Sequence, residues 1–227
     1  MPNGRSSWAA RVLALLGKDL RAEYRTRYAI SAVFLFALTT LAAVSFSLGA
    51  GGLPAHYLSV LFWVILFFSA LSGLSQSFVK EAETRTAITL KLAASDDVVF
   101  FGKWAFNLAL MVGLEVVLVP LFLVFLDTEL ARGALFLSVV LLGSLGMVSA
   151  TTLIAAVIAA AGVRGALFSV LSLPVLLPLL VPLVRVTEFC FPGGAGGAGW
   201  AELRILAGYA VVVTTGGWLL FPYVWRE

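Results

Sequence analysis

Apolar residues in this chain come in runs rather than in alternation. Six runs are long: Tyr28 to Gly49, Tyr57 to Phe78, Trp104 to Leu126, Gly133 to Ala161, Gly165 to Val184 and Leu203 to Tyr223. Each is close to or above the ~20 residues that an α-helix needs to cross a bilayer core. The fourth is long enough to predict a helix that tilts or extends past the core. A Gly-Gly turn joins the first two runs, and PGGAGGAG, Pro192 to Gly199, is a flexible loop before the sixth.

Two stretches depart from this pattern. Over residues 8–24, Trp8, Val12, Leu13, Leu16, Leu20 and Tyr24 share one broad arc of a helix, with Arg11, Lys18 and Arg21 on the other side. It is too short and too interrupted to span, and Arg11 breaks the apolar patch that a signal peptide would need. The expectation is an amphipathic helix lying along the inner leaflet. The second stretch, Phe78 to Lys103, is the one long polar interruption between spans. It carries a weak helical pattern at Ala87, Leu90 and Ala94, with Ile88 and Leu92 beside them. A solvated linker and a surface helix that meets a soluble partner both fit it.

Composition sets the class. Of 227 residues, 61% are hydrophobic and only 12% charged, against about 25% charged in soluble domains. The chain is therefore expected to be an all-α membrane protein, a single unit over residues 1–227. Its charge of +3 concerns placement across a membrane rather than nucleic acid. Arg5, Arg11, Lys18, Arg21, Arg25 and Arg27, then Lys80, Arg85, Lys91 and Lys103, then Arg164 and Arg226 fall on one side. Only Arg132, Arg185 and Arg204 fall on the other. The positive-inside rule places both termini and the central polar segment in the cytoplasm.

Candidate chemistry is sparse. There is no phosphate-cradling GxxxxGK[ST] loop, no HExxH and no GxSxG. One His and one Cys cannot make a closed metal site. His56, where a span meets the outer surface, could ligate haem iron or sense pH, but an ordinary interfacial histidine is the plainer reading. Cys190 has no partner for an internal disulfide. Glu115 falls near the middle of the third span, where a carboxylate must face protein or water or be protonated. It would line a polar path, meet a partner subunit, or hydrogen-bond between helices. Gly143, Gly146, Ala150, Ala155 and Ala159 allow close packing, either within the chain or at a dimer seam. Pro174, Pro178 and Pro182 recur every fourth residue in the fifth span, and broken helices can mark transport paths.

The plan of an amphipathic start, two spans, a cytoplasmic helix and four more spans resembles the permease subunit of type-2 ABC exporters. In that family the segment after the second span reads E-x-E-x-G-T-L-E-x-L-L and then Pro. Glu81, Glu83 and Thr86 match, and Leu90 and Leu92 fall near the Leu pair. Arg85 stands where Gly is usual, Thr89 near the last Glu, and no Pro follows near Ser95–Asp96. Within that superfamily the chain is most similar to the CcmB family, haem exporter protein B of cytochrome c maturation. The similarity rests on KDLRAEYRTRYAI (Lys18 to Ile30) and on RGALFSVLSLPVLLPLLVP (Arg164 to Pro182).

The resemblance implies a non-catalytic membrane subunit that binds no cofactor of its own. A separate CcmA-like ATPase would hydrolyse ATP and dock through the cytoplasmic coupling helix, with Glu81, Glu83, Arg85 and Thr86 as contacts. A CcmC-like haem-handling membrane protein and a CcmE-like haem chaperone would be partners, with haem as cargo. A bacterial inner membrane is the implied location. A type-2 permease for a lipid, drug or polysaccharide, and a non-transport membrane scaffold, are the alternatives. An intramembrane enzyme would need a convergent polar constellation, and Glu115 alone does not supply one.

Overall fold

The computed structural model describes residues 7–48, 52–74, 90, 92–160, 166–194, 197 and 199–226, leaving aside the side chains at 28, 29, 48, 166–169 and 226. Among these residues there are seven long helices and no strand: α1 (Trp8–Thr26), α2 (Tyr28–Leu48), α3 (Ala55–Leu74), α4 (Asp96–Phe125), α5 (Gly133–Ala160), α6 (Ala166–Glu188) and α7 (Trp200–Arg226). Helices α2 to α7 are each long and apolar enough to cross a membrane, and α1 is not among them. The six expected spans are thus present.

Their ends shift for identifiable reasons. Helix α4 begins at Asp96, eight residues before the expected Trp104. Ser95 is extended (φ −70°, ψ 153°), and Asp96 and Asp97 occupy the first turn, where their charge complements the exposed N–H groups. Lys103 therefore does not belong to an exposed polar segment. It lies inside α4 and is 2% exposed. Helix α6 runs four residues past Val184, and α7 extends from Trp200 to Arg226, beyond the expected span at both ends.

Helix α5 is the centre of the bundle. Its glycines are where neighbours come closest. A Cβ on Gly143 would run into the ring of Trp63 from α3 and lie 2.9 Å from Leu183 of α6. A Cβ on Gly146 would lie 2.9 Å from Leu179 of α6 and 3.2 Å from Tyr209 of α7. The small-residue stripe is thus used within the chain at these two positions.

Helix α6 passes through its three prolines as one continuous helix. Pro174 and Pro178 are exposed, whereas Leu176, Leu179, Leu183 and Val186 face the core. A proline lacks its N–H and crowds the carbonyls of the preceding turn. In the turn before Pro178, the Val175 carbonyl accepts a 2.6 Å bond from the Tyr209 hydroxyl. The bond ties α7 to α6 one residue past the Pro174 carbonyl, the one that Pro178 leaves without its helical donor.

Two aromatic clusters close the ends. Phe62, Trp63, Phe122, Phe136 and Phe191 meet at one end. Trp8, Phe100, Phe101, Trp104, Trp218, Phe221 and Trp225 meet at the other. There the Trp218 indole also donates to Asp97 at 2.7 Å. Helix α1 and the C-terminal half of α7 lie at this same end.

Gly143→Ala should destabilise the bundle by about 1–3 kcal/mol, because Trp63 has no room to yield. Gly113→Ala is the control. Its Cβ would meet nothing within 4 Å, so the gain in helix propensity should leave it neutral or up to about 1 kcal/mol more stable. Thermal unfolding in detergent should therefore fall for Gly143→Ala and stay level or rise for Gly113→Ala. Equal shifts would mean that close approach at α5 does not hold the bundle.

Candidate functional site

The most constrained polar site joins α1 to the bundle. Val12, Leu15, Asp19 and Glu23 recur at three- and four-residue spacing and are the buried face of α1. Leu15 packs over Gly102 of α4 so closely that a Cβ there would lie 2.9 Å from Leu15 Cγ. One turn further along α1, Asp19 Oδ2 lies 2.9 Å from Lys103 Nζ, and Asp19 Oδ1 lies 3.2 Å from Lys18 Nζ. The Asp19 and Lys103 side chains are 8% and 3% exposed. Removing Asp19 takes from the buried Lys103 a carboxylate 2.9 Å away, and removing Lys103 leaves Asp19 with the half-exposed Lys18; breaking a buried pair from one side is the expensive case. Trp8 meets Phe101 edge to face, with ring centroids 5.4 Å apart.

Glu23 ties α1 to α2. Its Oε1 accepts from the Ile30 N–H at 3.1 Å, serving an orphan donor in the first turn of α2. Only Arg27 separates the two helices. It sits in the left-handed region (φ 52°), its N–H bonds the Glu23 carbonyl at 2.6 Å, and its guanidinium lies 5.5 Å from the centre of the Tyr24 ring. A positive φ at a non-glycine residue is strained, so this joint is held by its surroundings.

Glu115 belongs to a seam between α4 and α5. The Ser144 hydroxyl meets the Glu115 carboxyl and also lies 2.7 Å from the Val140 carbonyl. Eight residues before Glu115, Asn107 donates to Thr152 Oγ1 at 2.9 Å, and Thr152 is eight residues after Ser144. The helices therefore run antiparallel in constant register. Trp104 donates to Ser149 Oγ at 2.9 Å, and Ser149 bonds Thr214 of α7 at 2.6 Å. Glu115 is a buried interhelical contact here.

At the opposite end His56 Nδ1 lies 3.1 Å from Glu188 Oε2, joining the start of α3 to the end of α6. Nearby, the Trp63 indole donates to Thr187 at 2.7 Å. The Cys190 carbonyl accepts from the Ala131 N–H at 2.8 Å and the Arg132 N–H at 3.3 Å. The Cys190 thiol is fully buried. Burial pushes it up to about 11, with Arg132 opposing.

The expected coupling residues Glu81, Glu83, Arg85 and Thr86 lie outside the described residues. Of that segment, Leu90 and Ala94 pack against the core, and the Ala94 N–H reaches the Leu90 carbonyl at 3.1 Å. Pro174, Pro178, His56 and Glu115 are not brought together. Asp19, Lys103, Asn107 and Glu188 are the residues that sequence reasoning passed over. Their signal was faint: one of two acids in a basic helix, a single amide in a span, a lysine placed in the polar segment, and an acid just past an apolar run.

Asp19→Asn should cost about 3–5 kcal/mol by breaking a buried ion pair from one side, and Lys103→Met less, because Lys18 still meets Asp19. The double variant D19L/K103M should recover most of that loss. Additive losses in thermal unfolding would show that the two charges do not act as a pair. Maleimide labelling of Cys190 in the folded chain should be slow at neutral pH and rise sharply on denaturation. Fast labelling of the native chain would contradict the buried, protonated thiol.

No curated protein sequence matches this chain. A family does, and it covers most of α1, all of α2 to α6 and α7 as far as Pro222. The match to the CcmB protein family extends over residues 10–222. On that match the chain belongs to the CcmB family, the membrane permease of a haem-export ABC system in cytochrome c biogenesis.

Proposed function

We propose that this chain passes the work of a separate ATPase into the membrane for cytochrome c maturation. The observation that carries the proposal is the family match over residues 10–222 on a six-span helical chain. The chain contains no phosphate-cradling loop, in keeping with ATP hydrolysis on a partner subunit. In this reading residues 1–227 are one permease unit in a bacterial inner membrane. Both termini and the segment after α3 are cytoplasmic, and α1 lies along the inner leaflet, as the positive-inside count supports. Glu81, Glu83, Arg85 and Thr86 form the docking surface for the ATPase. The haem-handling membrane protein and haem chaperone act on the outer face, where the cycle ends in release of the haem-loaded chaperone.

Charge reversal at Glu81→Lys and Glu83→Lys together should abolish co-purification of the ATPase and lower cytochrome c in the cell. Gentle purification of the tagged chain from its native membrane, with mass spectrometry of what accompanies it, is the measurement. An ATPase with haem-handling partners is the expected result. An ATPase without them would redirect the cargo to another substrate. Retention of both ATPase and cytochrome c by the double variant would sink the docking surface.

A further inference from the structure

Helix α1 has three faces rather than two. The buried face, Val12, Leu15, Asp19 and Glu23, is locked to α4 and α2 by the contacts described above. The apolar arc expected from the sequence is split. Leu13, Leu20 and Tyr24, at spacings of seven and four, are exposed, with Leu13 at 63% and Tyr24 at 71%. Arg11, Lys18, Arg21 and Arg25, at spacings of seven, three and four, form a third stripe, also exposed. Residues so spaced return to one side of a helix. Because the buried face is fixed, the other two stripes cannot rotate and are presented in one orientation.

We propose that the stripe Arg11, Lys18, Arg21 and Arg25 is a binding surface for anionic phospholipid headgroups. The proposal rests on the interfacial placement of α1. Charge decides the kind of occupant: four cations and no acid line this stripe, which complements a surface of phosphate groups. The neighbouring stripe decides between a lipid and a protein. Leu13, Leu20 and Tyr24 offer an apolar edge directly beside the cations, the arrangement that inserts at the acyl boundary while basic side chains reach the headgroups. Trp8 at the start of the helix is 46% exposed and suits the same boundary. Each cation near an anionic leaflet strengthens binding by about fivefold. Lys18 also contacts Asp19, so the three arginines are the principal contributors.

The test uses the full-length chain purified in a neutral detergent. It is titrated with phosphatidylglycerol and, separately, phosphatidylcholine, and bound lipid is counted by native mass spectrometry. The expected result is preference for phosphatidylglycerol. That preference should fall by at least about tenfold in R11Q/R21Q/R25Q and persist in R11K/R21K/R25K, which keeps the charge. Equal binding of the two lipids, or a preference that the glutamine variant retains, overturns the proposal. Loss of the preference in the lysine variant overturns its electrostatic basis. If the lipids bind equally while the glutamine variant fails to retain an ATPase subunit, the stripe is a protein-docking surface instead. The docking surface at Glu81 and Glu83 is scored by its own variant, so the two readings fail separately.

Discussion

Water does not drive helices together inside a bilayer, so a helical bundle there depends on how closely its members can approach. In this chain that constraint falls on α5. Gly143 admits Trp63 and Leu183, and Gly146 admits Leu179 and Tyr209. The approach also sets the polar contacts. Trp63 lies against Gly143 while its indole reaches Thr187 of α6. Tyr209 lies against Gly146 while its hydroxyl reaches Val175, also of α6. A side chain at either glycine would push away both the packing partner and the donor that the partner carries. Two interhelical hydrogen bonds thus depend on two missing Cβ atoms.

Such bonds are worth about 0.6 kcal/mol each on average between membrane helices. They are too weak to hold the bundle and are better suited to fixing register. The α4–α5 seam shows this. Asn107 with Thr152 and Glu115 with Ser144 are one alignment read at two depths. Sliding either helix by a turn would leave an amide and a carboxyl in hydrocarbon, a cost far above the value of the bonds made. The Asp19–Lys103 pair applies the same logic where α1 meets α4. Its net contribution to stability is small against an apolar isostere, but misregistered docking of α1 breaks the pair while both groups are still buried.

The architecture was legible because its signal is length. Six apolar runs of membrane-spanning size could hardly be anything else, and they became six helices. The helix ends were less legible because charge was read as surface. Lys103 stands in a run of polar residues in the sequence, yet Ser95 and the acidic first turn start α4 early enough to carry it inside. The apolar arc of α1 was read as a single face, because periodicity cannot distinguish a side buried in protein from one left exposed. Pairs such as His56 with Glu188, 132 residues apart, leave no local trace. Of the candidate site residues, Glu115 showed itself through the cost of its position, which demands a partner without naming one. Ser144 became that partner only once α5 was laid antiparallel beside α4.

The mechanical consequence concerns what moves with α1. Helix α1 is fastened to α4 by Leu15 and Asp19 and to α2 by Glu23. Arg27, the single residue between α1 and α2, is held in a strained conformation and cannot serve as a slack tether. At the far end, Ser45 of α2 bonds the Phe125 carbonyl of α4 at 2.7 Å. Helices α2 and α4 are therefore joined at both ends of the bundle, through α1 at one and directly at the other. At mid-span they are packed less tightly, for an apolar cavity of about 70 Å³ lies between α2 and α4, lined by Phe34, Ala37, Leu38, Leu114, Leu118 and Leu121 among others. A force on α1 would be delivered to both spans at once, through Glu23 to α2 and through Leu15 and Asp19 to α4. Coupling requires a discrete element that several sites can bias, and the α1, α2 and α4 unit has the connections for that role.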